Sequence, residues 1–287
     1  MIAAFGNMSP VTKGALWMTG ASLIFSITFG VVRQISGEMS SAEITFFRSL
    51  FGVCFMLPWL IRSGIRSLRT SRPVIYGLRA VALYSGIVCW FYGLAHLDLA
   101  EATALYFTTP LFTVLFAKAT LKEDIGPRRW AALLVGFAGA LIIIRPGFVD
   151  LSPPAISVLV AALLFGSSNT ATRSLAITEN PNAVVIYALL LQAPLAIGPA
   201  LYLWSSAPGM VYPWLVLLGA LTVISGQCMA RAYACAPISA VIPPYFLQLP
   251  FVAIIGYLAF DQNPDYWVWI GGAVICASAY SARERSK

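Results

Sequence analysis

Residues 180–230 read NPNAVVIYALLLQAPLAIGPALYLWSSAPGMVYPWLVLLGALTVISGQCMA, and these 51 residues contain no Asp, Glu, Lys or Arg. A helix crossing a hydrocarbon core of about 30 Å uses about 20 apolar residues. The run is too long for one crossing, and Pro208, Gly209 and Pro213 supply a turn inside it. It therefore reads as two membrane spans. The rest of the chain agrees: 59% of its residues are hydrophobic and 10% charged, against about 25% charged in ordinary soluble domains. In lipid every backbone amide must be paired internally, so spans are helices or closed barrels. These runs are continuous and Ala/Leu-rich, without the alternation of barrel strands, so the fold class is an all-α polytopic membrane protein.

Working outward, residues 14–32, 80–95, 102–117, 151–172, 232–260 and 266–282 are also uncharged. Ten spans follow, over 12–33, 42–62, 73–95, 99–118, 128–145, 153–174, 182–204, 212–235, 239–259 and 265–282. Short connections carry the breakers: Ser36-Gly37, Arg72-Pro73, Gly126-Pro127, Pro146-Gly147, Pro153-Pro154, Asn180-Pro181, Pro208-Gly209 and Asn263-Pro264. Basic residues concentrate on one side. Lys13, Arg62, Arg66, Arg69, Arg72, Lys118, Lys122, Arg128, Arg129, Arg173, Arg283, Arg285 and Lys287 face Arg33 and Arg145 alone. By the positive-inside rule both termini are expected in the cytoplasm, in a bacterial inner membrane. The formal charge of +7 is explained by these flanks, so the expected partner is the lipid bilayer and not nucleic acid. Cys54, Cys89, Cys228, Cys235 and Cys276 lie in apolar runs without CxxC spacing and read as buried hydrophobes. The first apolar segment has no evident cleavage site and reads as a retained helix.

A shift of 140 residues superposes Phe25 on Phe165, Arg33 on Arg173, Ser85-Gly86 on Ser225-Gly226, Ala100 on Ala240 and Pro110 on Pro250. Trp130 meets Trp269 with a one-residue slip. The chain thus divides into two five-helix repeats, 1–147 and 148–287. An odd number of spans makes the second repeat enter with opposite topology, the inverted arrangement of many secondary transporters.

The stretch 92–147, YGLAHLDLAEATALYFTTPLFTVLFAKATLKEDIGPRRWAALLVGFAGALIIIRPG, resembles the first EamA-type repeat of the drug/metabolite transporter superfamily. The likeness lies in the A-E-A-T-A start, the mid-helix proline, the Leu-x-Glu exit and the glycine-dotted helix ending in Arg-Pro-Gly. The second half carries a degenerate copy, with Asp261-Gln262-Asn263-Pro264 at the exit and Pro243-Pro244 where the first has Thr103-Ala104. The resemblance implies alternating access, with spans 1, 3, 4, 6, 8 and 9 around a central cavity and spans 5 and 10 outside it. It also implies export of amino acids, neutral or aromatic, since the general likeness is to bacterial amino-acid exporters. The alternative is import of a vitamin or nucleoside-type metabolite such as riboflavin or S-adenosylmethionine.

Other chemistry is not indicated. There is no GxxxxGK[ST] and no HExxH, and His96 is the single histidine, so no enzyme, metal site or cofactor is expected. Glu43 and Glu101 lie a turn or less inside their helices and read as anions facing the helix dipole, leaving no clear proton site. Arg48 lies about 9 Å into span two at 1.5 Å per residue. It reads as a structural pair with Glu43 or Glu101, as a snorkelling side chain, or as an anchor for a substrate carboxylate. Arg79 and Arg231 read as snorkelling. Trp17, Trp59, Trp130, Tyr212, Trp214, Trp267 and Trp269 read as interface belts. Phe25, Tyr84, Tyr106, Phe165 and Tyr245 would supply rings to the cavity. Asn169, Gln227 and Gln248 would supply hydrogen bonds, or else act as helix–helix glue. Pro110 and Pro250 read as mid-span hinges that each remove one ladder bond. Ala132, Gly136 and Ala140, with Gly272 and Cys276, let helices approach closely, within one molecule or in a homodimer.

Overall fold

The computed structural model describes residues 8–35, 37–97, 99–144, 152–205, 209–261 and 266–281. The helices are α1 (Pro10–Ile35), α2 (Ser41–Ser63), α3 (Pro73–His96), α4 (Leu99–Tyr106), α5 (Thr109–Thr120), α6 (Pro127–Ile144), α7 (Pro153–Thr178), α8 (Pro181–Tyr202), α9 (Tyr212–Cys235), α10 (Ile238–Val241), α11 (Gln248–Phe260) and α12 (Tyr266–Ser281). Among the described residues, eight helical stretches are long and apolar enough to cross a membrane. Their starts follow from local chemistry. Ser40 and Glu43 close a capping box on α2, Ser152 caps α7, Asn180 caps α8, and prolines occupy first turns, where an N–H would have no partner.

Two expected spans depart from continuous helices. Span 99–118 is broken between α4 and α5, and span 239–259 comprises α10, a 3-10 segment Pro243–Leu247 and α11. The physical cause is visible at Thr108-Thr109-Pro110. Pro110 offers no N–H to the Tyr106 carbonyl, and Thr109 Oγ1 donates to that carbonyl instead (2.6 Å). In the second break, Ser22 Oγ donates to the Pro244 carbonyl (3.2 Å) and Ser26 Oγ to that of Gln248 (3.0 Å). The hinge reading of Pro110 and Pro250 is corrected accordingly. Both lie in the first turn of the helix after the break and not mid-helix, and the bends fall at 107–108 and 242–247.

Helices pair in a repeating pattern. α1 packs on α9 as α7 packs on α3; α2 packs on α9 as α8 packs on α3; α11 packs on α1 as α5 packs on α7. The pairs α2–α8 and α6–α12 map onto themselves when the halves are exchanged, as a twofold relation requires. The α6–α12 contact is backbone-close: a Cβ on Gly271 would sit 2.6 Å from the Gly139 carbonyl oxygen. Spans five and ten thus meet within one molecule through Gly139 and Gly271; of the expected span-ten pair, Gly272 faces Pro250 and Cys276 is exposed, so neither makes that contact. Leu78, Leu201 and Leu258 are exposed on the outer surface, as lipid-facing side chains would be.

The bundle has two distinct ends. One, here the basic end, joins α2 to α3, α5 to α6, α7 to α8 and α9 to α10. The largest buried cluster lies toward it and includes Met18, Val114, Leu133, Tyr233, Ile238 and Phe246. Trp17 packs against this cluster and carries the Arg231 guanidinium over its ring at 5.1 Å. Arg231 also reaches Gln227 Oε1 and Asn182 Oδ1, both at 3.4 Å.

Candidate transport cavity

A cavity of about 550 Å³ lies between the halves, within the roughly 300–1,000 Å³ of small-molecule sites. Its deep wall is formed by Arg79, Asn169, Met229 and Tyr245; Arg33, Leu94, Thr103 and Gly256 mark its other extreme. Arg79 lies six residues from the start of α3, about 9 Å from the basic end at 1.5 Å per residue. Arg33 and Phe29 line the cavity and are exposed. The cavity therefore runs from mid-bundle toward the end opposite the basic one.

Aromatic rings dominate the wall. Tyr106 is central: its ring meets Trp90 at 4.8 Å and Phe165 edge-on at 5.8 Å. The Tyr106 and Tyr245 hydroxyls share a hydrogen bond of 3.0 Å across the two broken spans. Gly86 makes room for Phe165, since a Cβ there would lie 2.9 Å from the ring. Phe25 completes the set from α1. Of the expected site residues, Phe25, Tyr106, Phe165, Asn169, Tyr245 and Gln248 line this one cavity. Asn169 Nδ2 also donates to Thr113 Oγ1 (3.4 Å). Tyr84 and Gln227 are not on the wall. Leu83 and Ile87 line it from α3, and Thr222, Ser225, Gly226 and Met229 from α9. One residue is 100° around a helix, which turns Tyr84 and Gln227 aside. Gln227 donates to Met56 Sδ instead (3.4 Å).

The charged residues also differ from expectation. Glu43 is fully buried and serves α2: its carboxylate accepts from Ser40 N and Oγ and from Ser205 N and Oγ. Arg48 therefore pairs with neither Glu43 nor lipid headgroups. Its Nη2 donates to Gln192 Oε1 (3.1 Å), and it faces the cavity. The side chain of Glu101 lies outside the described residues. Arg79 is 7% exposed and does not snorkel; Nε donates to Thr172 Oγ1 (2.8 Å) and Nη1 to the Val184 carbonyl (2.9 Å). Among the described lining residues there is no Asp or Glu. Gln192, Arg79 and Trp90 are among the lining groups that sequence reasoning missed, as are Arg33, Phe29 and Phe91. Gln192 carried a usable signal, being an amide at span depth inside an uncharged run.

At the basic end, polar contacts join the halves. Arg173 Nε meets Glu123 Oε1 at 3.1 Å, Glu123 Oε2 accepts from the Ile238 amide (2.9 Å), and Arg173 Nη1 donates to the Tyr233 carbonyl. Glu179 accepts from Thr70 Oγ1 and Tyr76 Oη, both at 2.5 Å. Arg72 reaches the Ser174 carbonyl and Oγ, both at 3.0 Å.

A riboflavin transporter from Rhizobium johnstonii is 34% identical over 94% of this chain and 91% of its own length. A family profile of EamA-like transporters matches residues 12–145. The chain belongs to the EamA-like transporter family. Similar proteins also include an S-adenosylmethionine uptake transporter from Rickettsia prowazekii, 27% identical over 93% of this chain and 90% of its own. A pseudopaline exporter from Pseudomonas aeruginosa is 29% identical over 96% and 97%. A crystal structure with 19% identity superposes with a TM-score of 0.81 over 94% of this chain and 96% of that one, which supports the fold. This EamA-like chain is a multi-pass transporter. The relatives' names correct the amino-acid export reading: they favour the vitamin or nucleoside-type alternative.

Proposed function

We propose that this protein takes up a planar heteroaromatic metabolite of the vitamin type, riboflavin first among candidates, by alternating access. The observation that carries the reading is the cavity between the halves, walled by Phe25, Trp90, Tyr106, Phe165 and Tyr245. Rings on several sides suit a flat, polarisable ligand, because offset and edge-on aromatic contacts add to area burial. The riboflavin transporter relative supports the choice of ligand. S-adenosylmethionine is the second reading, named by another relative. With a sulfonium and an ammonium against one carboxylate, it would bring net positive charge into a cavity lined by Arg33, Arg48 and Arg79 and by no Asp or Glu among the described lining residues, which disfavours it electrostatically.

The proposed architecture is ten spans in two inverted repeats, 1–147 and 148–287. The exchangeable helix pairings support it. With the basic end in the cytoplasm of a bacterial inner membrane, the cavity faces outward and the contacts at Glu123, Arg173, Glu179 and Arg72 form the closed gate. Closure of the other end around substrate, with release of this gate, would complete transport. Phe25, Tyr106, Phe165 and Tyr245 hold the ring system, Asn169 and Gln248 bond its edge, and the breaks at 107–108 and 242–247 let α5 and α11 swing.

Counterflow in proteoliposomes tests the reading. Vesicles loaded with unlabelled riboflavin should accumulate labelled riboflavin transiently, and S-adenosylmethionine should not compete. Accumulation no greater than in protein-free vesicles contradicts it.

A further inference from the structure

We infer that the cavity is an anion site: a carboxylate or phosphate on the transported aromatic molecule docks on the Arg48 guanidinium beside Gln192, and the buried Nε and Nε2 donors turn to it as the cavity closes. The inference rests on the transport reading of the same cavity and moves its preferred substrate from neutral riboflavin to an anionic flavin.

The first observation is an unfilled donor set. Arg48 Nε is buried with no partner, and so is Gln192 Nε2. Gln192 is 2% exposed, and its single carbonyl oxygen is shared between Arg48 Nη2 (3.1 Å) and Ser49 Oγ (3.4 Å). That shared oxygen orients the amide so that Nε2 and Arg48 Nε remain as donors without acceptors. Buried donors are normally satisfied, and orphaned ones are costly. Both side chains line the cavity.

The second observation is uncompensated charge. Among the described residues no carboxylate bonds to Arg48 or Arg79; their partners are an amide, a hydroxyl and a backbone carbonyl. Even with the cavity open, Arg79 is 7% exposed and Arg48 Nε is buried, so water screens them only in part. Once it closes on its ligand, water leaves and the same charges sit in a low-dielectric interior. An anionic ligand reduces that cost, a neutral ligand leaves it, and a cationic ligand raises it. Guanidinium forks match planar carboxylates and phosphates in geometry as well as charge. Gln248 Oε1, buried and unpartnered, provides an acceptor for a ring or chain donor elsewhere on the same ligand.

The internal repeat makes the feature asymmetric. Under the 140-residue shift, Arg48 and Arg79 fall on Ala188 and Gly219. Both cations thus belong to the first half and have no counterpart in the second. A symmetric need of the fold would have placed them in both halves.

The test compares riboflavin, riboflavin 5′-phosphate and 10-carboxymethylflavin, measured by quenching of flavin fluorescence on the purified full-length protein. Wild type should bind one or both anionic flavins roughly ten- to a hundredfold tighter than riboflavin, the range of a hydrogen bond to a charged group. Phosphate preference and carboxylate preference are read from the two anionic arms separately. In Arg48→Gln the anionic-to-neutral ratio should fall toward one. Arg48→Lys, which keeps the charge and loses the fork, should retain an intermediate ratio. Equal binding of all three flavins by wild type overturns the inference and leaves the flavin reading standing, as does a preference unchanged in Arg48→Gln. Binding of none of them overturns the flavin reading itself, and the inference with it.

Discussion

The two ends of the bundle are held differently. Each has a carboxylate clasp across the α2–α8 pair. At the basic end Glu179, next to α8, holds Thr70 in the connection after α2. At the other end Glu43, in the first turn of α2, holds Ser205 after α8. The basic end adds a second layer, in which Glu123 binds Arg173 and the Ile238 amide. Under the 140-residue shift the counterparts of Glu123 and Arg173 are Asn263 and Arg33. Asn263 lies outside the described residues, and Arg33 lines the cavity. An ion pair in one repeat thus corresponds to an amide and a guanidinium in the other. On the proposed reading, the Glu123–Arg173 pair is a contact that must separate before the basic end opens.

The comparison can be broken from the basic end. Glu123→Ala leaves Arg173 mostly buried with only a carbonyl partner. It should cost about 3 kcal/mol, the scale for a buried ion pair losing one partner, read as a lowered unfolding midpoint in detergent. The matching change at the opposite end, Ser205→Ala, removes one hydroxyl from a carboxylate that keeps three other donors. About 1 kcal/mol is expected. If Ser205→Ala costs as much as Glu123→Ala, the gates are not unequal.

Next in size are effects inside the cavity. Phe165→Ala would cost roughly 3–5 kcal/mol in a packed core. Here the ring is half-buried and faces the cavity, so less than half of that is expected, with flavin counterflow strongly reduced. Poor membrane insertion of this variant would make Phe165 a core residue. The smallest effect is assigned to Pro250→Ala, within about 0.5 kcal/mol of wild type. It lies in the first turn of α11 and not mid-helix, where proline is tolerated. Slowed transport in Pro250→Ala with unchanged flavin binding would return the hinge to the proline.

Much of this frame was legible in the sequence, because uncharged runs and basic flanks obey the bilayer's geometry. The site was legible only to the level of which helices surround it. Tyr84 and Gln227 show why: a polar or aromatic group at mid-span depth is visible in sequence, but the face it occupies depends on how the helix is rotated against its neighbours. Arg79 was misread for a related reason. Snorkelling and inward bonding differ only in whether Thr172 and the Val184 carbonyl lie within reach, and those residues are some hundred positions away. The breaks at 107–108 and 242–247 had local signals in Thr108-Thr109-Pro110 and Pro243-Pro244. What was missing was the set of hydroxyls, Thr109, Ser22 and Ser26, that make broken helices tolerable inside a bundle.

The central claim is that one cavity is closed at the basic end and open at the other until substrate binds. Distances between paired spin labels test it most directly, in a background lacking the five native cysteines. One pair, at Arg66 and Ile177, spans the basic end; the other, at Tyr92 on α3 and Tyr257 on α11, spans the cavity mouth. These four positions are exposed. The account predicts a single short distance for the first pair and a longer one for the second without ligand. Saturating flavin should then shorten the second and lengthen part of the first population. A first pair already broadly separated without ligand, or two distances that ignore the flavin, would contradict the account.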